Sequence, residues 1–468
     1  MNTYTPLDSI LLARLTSLFA PGNFKTSPEE LQKYAHDETE DLVFLPEAVF
    51  IPDTTADVSK LLSWCTLNNV PVVARGAGTG LSGGALPVHK GIIISFERMN
   101  QLVELDERNQ QATVQPGMIT EVFMKLVEER NLYYPVDPAS KGSCYLGGNV
   151  ATCSGGPRVV KYGSIREYVL NLEVVLADGS VIWTGANTIK YASGYNLTQL
   201  MIGSEGTLGV ITAMVLKLIP LPKTNILLMA AFIDAAAACQ AVSAIFRNGF
   251  TPSALEFMER EAVDWVLEHE QFVFKTDDIT GAYLLIELDG STLETLQIES
   301  ELIAEVIYGA GSHDIMLADT ATQKESWWQL RRSIATSVKA HSVYKEEDTV
   351  VPRAELAKLL EGIKSIGAIY NFKSVCYGHA GDGNMHVNII RGDMSDFEWD
   401  TRLKEGIKEI FALTVSLGGT LSGEHGIGWV QKEYMHIKFA QVNLDLMRGI
   451  KRVFDPQYIL NPGKIFNL

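Results

Sequence analysis

The sequence predicts an α+β protein of more than one domain. Three observations carry this: a length of 468 residues, too great for one simple core; a β-α-β opening that runs into a glycine-rich loop; and a change of pattern beyond Pro220 and Pro222. The expected divisions are a helical segment over 1–44, a first domain over 45–221, a second α+β domain over 222–423 and a C-terminal segment over 424–468.

Taken in order, the first 44 residues alternate short helical patterns with turn residues and are expected only to support the domain after them. Ile10–Phe19 is apolar but interrupted by Arg14 and preceded by no basic run, so it reads as an amphipathic helix and not as a secretion signal. Ala48–Ile51 is strand-like. Thr54 and Asp57 then have the spacing of a capping box for a helix over Ala56–Asn68, and Val70–Ala74 reads as the next strand. Further strands are expected at Gly91–Phe96 and Gln111–Val114, with a helix at Ile119–Arg130. Leu170–Leu176 ends in Ala177-Asp178-Gly179-Ser180, a hairpin turn into Val181–Thr184. Pro220 and Pro222 oppose helix and sheet alike, so Leu218–Pro222 reads as a linker. Beyond it, helix Asp234–Phe246, the stretch Ser253–Met258, strand Ala282–Glu287 and helix Thr292–Tyr308 alternate as in a separate α+β or α/β domain. A helix over Leu444–Phe454 and the turn Asn461-Pro462-Gly463-Lys464 close the chain.

Composition excludes several functions. A formal net charge of −17 repels phosphate backbones and anionic lipid, and no basic patch counters it, so neither nucleic acid nor a membrane surface is expected as partner. No apolar run approaches the ~20 residues that span a bilayer. Cys65, Cys144, Cys153, Cys239 and Cys376 form no C-x-x-C pair, which argues against a zinc ribbon or an iron–sulfur run. Free buried thiols in a reducing compartment are the expectation, and with no spanning run the protein is expected to be cytoplasmic or loosely peripheral.

Five of the ten residues from Arg75 to Gly84 are glycine, directly after a predicted strand. Glycine tolerates positive φ and lets backbone N–H groups crowd an anion. The pattern is neither a Rossmann fingerprint nor a P-loop, and an empty glycine-rich hairpin is the competing reading. A second block, Pro135-Val136-Asp137-Pro138-Ala139-Ser140 through Gly147-Gly148-Asn149-Val150-Ala151-Thr152, and a third, Gly203-Ser204-Glu205-Gly206-Thr207-Leu208-Gly209-Val210-Ile211, weaken that competitor. Small residues at three places let backbone lie against a long phosphorylated cofactor.

These three blocks, in this order, resemble the FAD-binding domain of the vanillyl-alcohol-oxidase (PCMH-type) superfamily. Lys141–Thr152 and Leu172–Gly179 resemble more narrowly its D-lactate, glycolate and D-2-hydroxyglutarate dehydrogenase branch, and the likeness runs from about residue 45 to the end of the chain. The resemblance implies two α/β subdomains in the first domain and a substrate-binding cap in the second. It places Arg75, Gly76, Ala77, Gly78, Thr79, Gly80, Ser82 and Gly83 at the pyrophosphate, and Pro135, Asp137, Ser140, Gly147, Gly148, Asn149 and Thr152 along the flavin and ribityl chain. Glu205, Gly209, Val210 and Ile211 would lie near the adenosine, and Asn461 would return to the flavin. Some superfamily members attach flavin covalently through a histidine in the first loop. Thr79 stands there instead, so non-covalent FAD is expected.

The densest chemistry lies in Tyr377-Gly378-His379-Ala380-Gly381-Asp382-Gly383-Asn384-Met385-His386-Val387-Asn388. Strand-like flanks around a turn predict a hairpin in which His379 and His386 face each other, with Asn388 on the face of His386. A hydrogen-bonded polar hairpin without metal is the alternative. Gly418–Gly428 adds Glu424 and His425 in an apolar, glycine-flanked segment, where buried polar groups are costly unless paired. Two histidines and a carboxylate with an open position form a catalytic type of site for zinc, with manganese or iron(II) as alternatives. The resemblance implies His379, His386 and Glu424 as metal ligands and Asn388 and His425 against substrate, with His425 as the base.

Trp327-Trp328-Gln329-Leu330-Arg331-Arg332 begins a helical stretch, followed by Tyr344-Lys345-Glu346-Glu347-Asp348. These charges could simply solvate a helix end. The family likeness implies that Arg331 and Lys345 bind the substrate carboxylate. A hydroxyl residue of the hydroxyglutarate enzymes is here Ala335, whereas Glu347–Arg353 is closer to the lactate and glycolate enzymes. The expected function is FAD-dependent oxidation of a small D-2-hydroxy acid to the 2-oxo acid, with electrons passed to an acceptor protein or a quinone. The alternatives are the FAD subunit of a multi-subunit glycolate oxidase, active with partner subunits, and a non-catalytic flavoprotein carrier. Which acid, which metal, which acceptor, and whether the chain forms a homodimer stay open.

Overall fold

The computed structural model describes residues 4–270, 272 and 274–467. The chain forms two compact units: Met1–Gly155 with Ser164–Leu221 and Glu424–Leu468, and Gly156–Gly163 with Pro222–Gly423. Each is built on its own sheets.

In the first unit a four-stranded sheet runs in the order Phe24–Lys25, Ala48–Phe50, Ile92–Ser95, Val72–Arg75, the last three parallel. Helix Thr55–Asn68 makes the crossover from Ala48–Phe50. Its capping box is present, with Thr54 and Asp57 satisfying each other's backbone N–H groups, and it ends at Asn69 in the left-handed region. Val58, Leu61, Leu62 and Cys65 fall on one helix face and pack on Val70, Val72, Ile92 and Ile94. The opposite sheet face carries Val49, Val73 and Ile93 against Tyr34 and Ile51, so these parallel strands are buried on both sides. Each such side chain contributes roughly 1.5–3 kcal/mol.

A five-stranded antiparallel sheet completes this unit, ordered Leu102–Asp106, Gln111–Val114, Val210–Lys217, Val169–Val175, Val181–Trp183. The Asp178-Gly179 turn joins its last two strands and also receives the helix: Ser59 and Ser63 donate to the carbonyls of Gly179 and Asp178. At φ +89 a Cβ on Gly179 would sit 1.9 Å from Ser63 Oγ, so the turn requires glycine. Two sequence readings change. Ile219–Pro220 is not free linker but a short strand paired with Leu132–Tyr133. The first 44 residues do more than support: Glu38 N–H donates to Gly80 O, Thr39 Oγ1 accepts from Gly83 N–H, and Arg75 donates to His36 O.

The second unit is a seven-stranded sheet, antiparallel throughout, ordered Ser312–Leu317, Thr224–Phe232, Ala282–Gly290, Ala254–Glu259, Lys373–His379, Asn384–Ile390, Tyr344–Val350. Helices Arg260–His269 and Ala321–His341 cover one face, where Met229, Met258, Tyr283, Val375 and Tyr377 meet Trp265, Trp327 and Ile334. Asp234 caps helix Ala235–Arg247 by accepting from Ala237 N–H. The inserted Gly156–Gly163 segment is held here by ion pairs from Arg158 to Glu287 (3.1 Å) and from Lys161 to Asp289. All five cysteines are free. Among the described residues no helix is long and apolar enough to cross a membrane.

Candidate functional site

In the first unit a large cleft opens where strand Val72–Arg75 gives way to the glycine loop. Arg75, Gly76, Ala77, Gly78, Thr79, Gly80 and Ser82 line it, with Ser140, Gly147, Gly148, Asn149 and Thr152 from the second block and Glu205, Gly209 and Ile211 from the third. Of the sequence-derived set, Gly83, Pro135, Asp137, Val210 and Asn461 do not line it. Asn461 acts behind the wall: its amide donates to the carbonyls of Gly84 and Glu205 and so ties the first and third blocks together. Asp137 is buried beside Lys141 at 3.8 Å.

The cleft suits a long phosphorylated cofactor on two counts. Its glycines leave bare backbone along the walls. Arg75 is 6 % exposed, and its Nη1 has no hydrogen-bond partner, a buried cation site facing a cleft that can accept an anion. Burial lowers the Arg75 pKa, against the opposing pull of Asp37 and Tyr34. The helix Leu146–Thr152 comes close to Pro116, where a Cβ on Gly147 would lie 2.5 Å from Pro116 Cβ. Gly147→Leu is therefore expected to displace this wall and cut FAD retained through purification at least ~10-fold, read from the 450-nm absorbance per chain.

His425 and Glu424 also reach this cleft. Glu424 Oε2 accepts from Gly155 N–H at 3.2 Å, and Ser82 Oγ donates to His425 O at 3.0 Å. Glu205 accepts from the N–H groups of Ile427 and Gly428 at 2.8 and 2.9 Å. Its pKa is pushed up to about 7 by burial, which those two hydrogen bonds and Lys464 only partly offset.

In the second unit the polar groups gather on the helix-covered sheet face. The hairpin pairs strands Lys373–His379 and Asn384–Ile390 with Tyr377 opposite His386 and His379 opposite Asn384. The histidines are thus diagonal neighbours and not directly facing, with ring centroids 5.4 Å apart. His379 Nδ1 meets the Glu256 carboxylate at 2.8 and 2.9 Å. Arg331, from the covering helix, meets the same carboxylate at 2.7 Å and lies over the Tyr377 ring. Despite burial, His379 and Arg331 hold the Glu256 carboxyl below its ordinary pKa. His386 Nδ1 lies 3.2 Å from Glu346 and 3.9 Å from Asp348. Asp348 is fully buried and accepts from Asn384, Ser422 and the Gly423 N–H. Asn388 is also fully buried, neither amide atom forms a well-made hydrogen bond, and the Tyr377 hydroxyl is its neighbour.

Lys345 is not brought to this face. It pairs with Ile389, on the side opposite Asn388 and His386, while Glu346 and Asp348 take the inward positions. Arg331 is present but not a free cation, since Glu256 already balances its charge. Sequence reasoning passed over Glu256, Glu346 and Asp348. The signal for Glu256 was a lone carboxylate within the apolar run Ala254-Leu255-Glu256-Phe257-Met258, a placement tolerated only when paired.

Residues 221–465 match the family of FAD linked oxidases, C-terminal domain, and residues 46–185 match a FAD binding domain. The chain is 38% identical to the glycolate oxidase subunit GlcD of Bacillus subtilis, covering 97% of this chain and 96% of the relative. It is 37% identical to a D-lactate dehydrogenase of Anaerostipes hadrus over 95% of each chain. A D-2-hydroxyglutarate dehydrogenase of Stutzerimonas stutzeri is 31% identical, covering 98% of this chain and 99% of the relative. Among solved structures, p-cresol methylhydroxylase with substrate bound superposes with a TM-score of 0.80 at 19% identity, covering 97% of this chain and 96% of that one. That likeness establishes the fold alone.

Proposed function

Because the chain belongs to the FAD-linked oxidase family, an oxidoreductase of the D-lactate, glycolate and D-2-hydroxyglutarate dehydrogenase type, we propose that it oxidises a small D-2-hydroxy acid with the help of a divalent metal. The observation that carries the metal is the setting of the two hairpin histidines. His379 Nδ1 is hydrogen-bonded to the buried Glu256 carboxylate, and His386 Nδ1 lies 3.2 Å from Glu346. A carboxylate at Nδ1 selects the tautomer that leaves Nε2 free to coordinate, the arrangement usual behind metal-bound imidazoles. Glu256, Glu346 and Asp348 gather beside the two histidines, with the Arg331 guanidinium paired to the first, so this part of the face offers the carboxylates that a divalent cation requires. Glu424 is the third proposed ligand. It comes directly after Gly423, which is pinned to Asp348, and Asp348 stands opposite His386 in the sheet.

A metal held by His379, His386 and Glu424, zinc in the first instance, would polarise the substrate hydroxyl and lower its pKa. FAD seated non-covalently in the cleft would supply the hydride acceptor. The chain's own residues do the rest. His425 takes the hydroxyl proton while C2 gives up its hydride, leaving the 2-oxo acid. Arg331 keeps an Nε–H without a protein acceptor, and the buried Asn388 amide has donor and acceptor capacity to spare, so both can hold substrate oxygens. Electrons then pass to an external acceptor. The name of the Bacillus subtilis relative supports a second reading, a subunit that works only with partner chains. Dye-coupled oxidation by the isolated chain would exclude it.

Chelation tests the metal directly. The stripped protein is expected to keep its flavin, lose turnover and regain it with about one equivalent of zinc, manganese or iron(II). Glu256→Ala should weaken that rebinding ~10- to 100-fold in calorimetric titration. Full turnover in a protein shown by elemental analysis to be metal-free would remove the metal from the account.

A further inference from the structure

Glu205 is an expensive residue. Its backbone occupies the left-handed region at φ +53, which is unfavourable for a residue with a side chain. Glu205 is 8 % exposed, and the positive charge of Lys464 only partly offsets the burial of its carboxylate. Strain and desolvation concentrated on one side chain call for a compensating role.

The partners of that carboxylate are the backbone N–H groups of Ile427 and Gly428, one to each oxygen. They belong to the turn that carries His425. Gly426 at φ +82 and Gly428 at φ +53 make this turn possible, and they are packed tightly: a Cβ on Gly426 would lie 2.9 Å from Glu205 Oε1, and one on Gly428 2.0 Å from Ser82 O. Ser82 grips the turn from the other side, accepting from Trp429 N–H at 2.8 Å while its hydroxyl donates to His425 O. Asn461 in turn fixes Glu205 by donating to its carbonyl at 2.7 Å.

We propose that Glu205 is a positioning residue for His425: its carboxylate clamps the Ile427–Gly428 amides and so aims the imidazole into the cleft. This rests on the reading of His425 as the base. It differs from the adenosine contact that the family resemblance implied for Glu205, because the carboxylate's two hydrogen bonds go to the chain's own backbone. Gln at 205 keeps one acceptor and opposes an NH₂ to the other amide, whereas Ala keeps neither.

The test is a double-mutant cycle read as the rate of flavin reduction on anaerobic mixing with D-lactate, glycolate and D-2-hydroxyglutarate, whichever reacts fastest with the holoenzyme. Glu205→Gln and Glu205→Ala are expected to slow reduction ~10- to 100-fold, alanine more than glutamine, with FAD per chain unchanged. In a His425→Ala background the same replacements should cost less than ~2-fold, because the group being aimed is gone. Losses that multiply in the double variant, or a Glu205→Gln protein that sheds FAD while its filled fraction reacts normally, would overturn the proposal. Should Glu205→Ala not fold, the isosteric glutamine variant decides. His425→Ala reacting at the wild-type rate would instead overturn the base reading, and the clamp's purpose with it.

Discussion

Replacing His379 by alanine is expected to abolish metal binding and slow flavin reduction by a 2-hydroxy acid ~10³-fold or more, while the protein stays yellow. The size comes from the chemistry removed: polarising a hydroxyl contributes several kcal/mol, and each 1.36 kcal/mol is a factor of ten. Retention of FAD comes from the fold, since the cleft residues and His379 belong to different units. The replacement also leaves Glu256 with Arg331 as its remaining close ionic partner on this face, so the buried carboxylate keeps compensation and the sheet should hold. Elemental analysis and stopped-flow spectroscopy check both halves. One equivalent of metal in His379→Ala, with near-normal reduction, would show that the hairpin is only a hydrogen-bonded structural element.

The second large effect belongs to His425. His425→Ala should keep both FAD and metal yet lose ~10²- to 10⁴-fold in turnover, the usual contribution of a positioned general base. Partial recovery on adding imidazole to the buffer would identify the missing group as a proton acceptor and not a structural prop. The contrast between the two variants is informative: one loses its ion and its rate, the other its rate alone. A His425→Ala protein with near-normal kcat would remove this residue as the base.

What the sequence made legible was local. The capping box at Thr54 and Asp57, the Asp178-Gly179 turn and the hairpin around Gly381–Gly383 all depend on neighbours a few residues apart, and each formed. The three glycine blocks were visible because small residues cluster in short windows. What stayed hidden was set by strand order. Glu256 reaches His379 only because Ala254–Glu259 lies beside Lys373–His379 across 123 residues of sequence, a pairing that no period along the chain reveals. Strand parity explains why Lys345 lies off the face that carries His386. The charged run Lys345-Glu346-Glu347-Asp348 resembled a solvated helix end, yet it forms a strand, and alternation turns Lys345 away while Glu346 and Asp348 turn inward. The bracing of the glycine loop by His36, Glu38 and Thr39 was likewise invisible, because each of those bonds uses a main-chain atom at one end or both and leaves little trace in residue type.

The family assignment and the buried carboxylate–histidine pairs meet in one claim: a 2-hydroxy acid delivers its electrons to the flavin of this chain, and does so only with metal present. Anaerobic mixing of the holoenzyme with D-lactate, glycolate, D-2-hydroxyglutarate and the L-isomers, followed at 450 nm, tests it most directly. The account predicts rapid bleaching by at least one achiral or D-configured acid, none by the L-isomers, and loss of that bleaching on chelation with recovery on adding metal back. A flavin that remains oxidised with every one of these acids, in a protein shown to hold both FAD and metal, would contradict it.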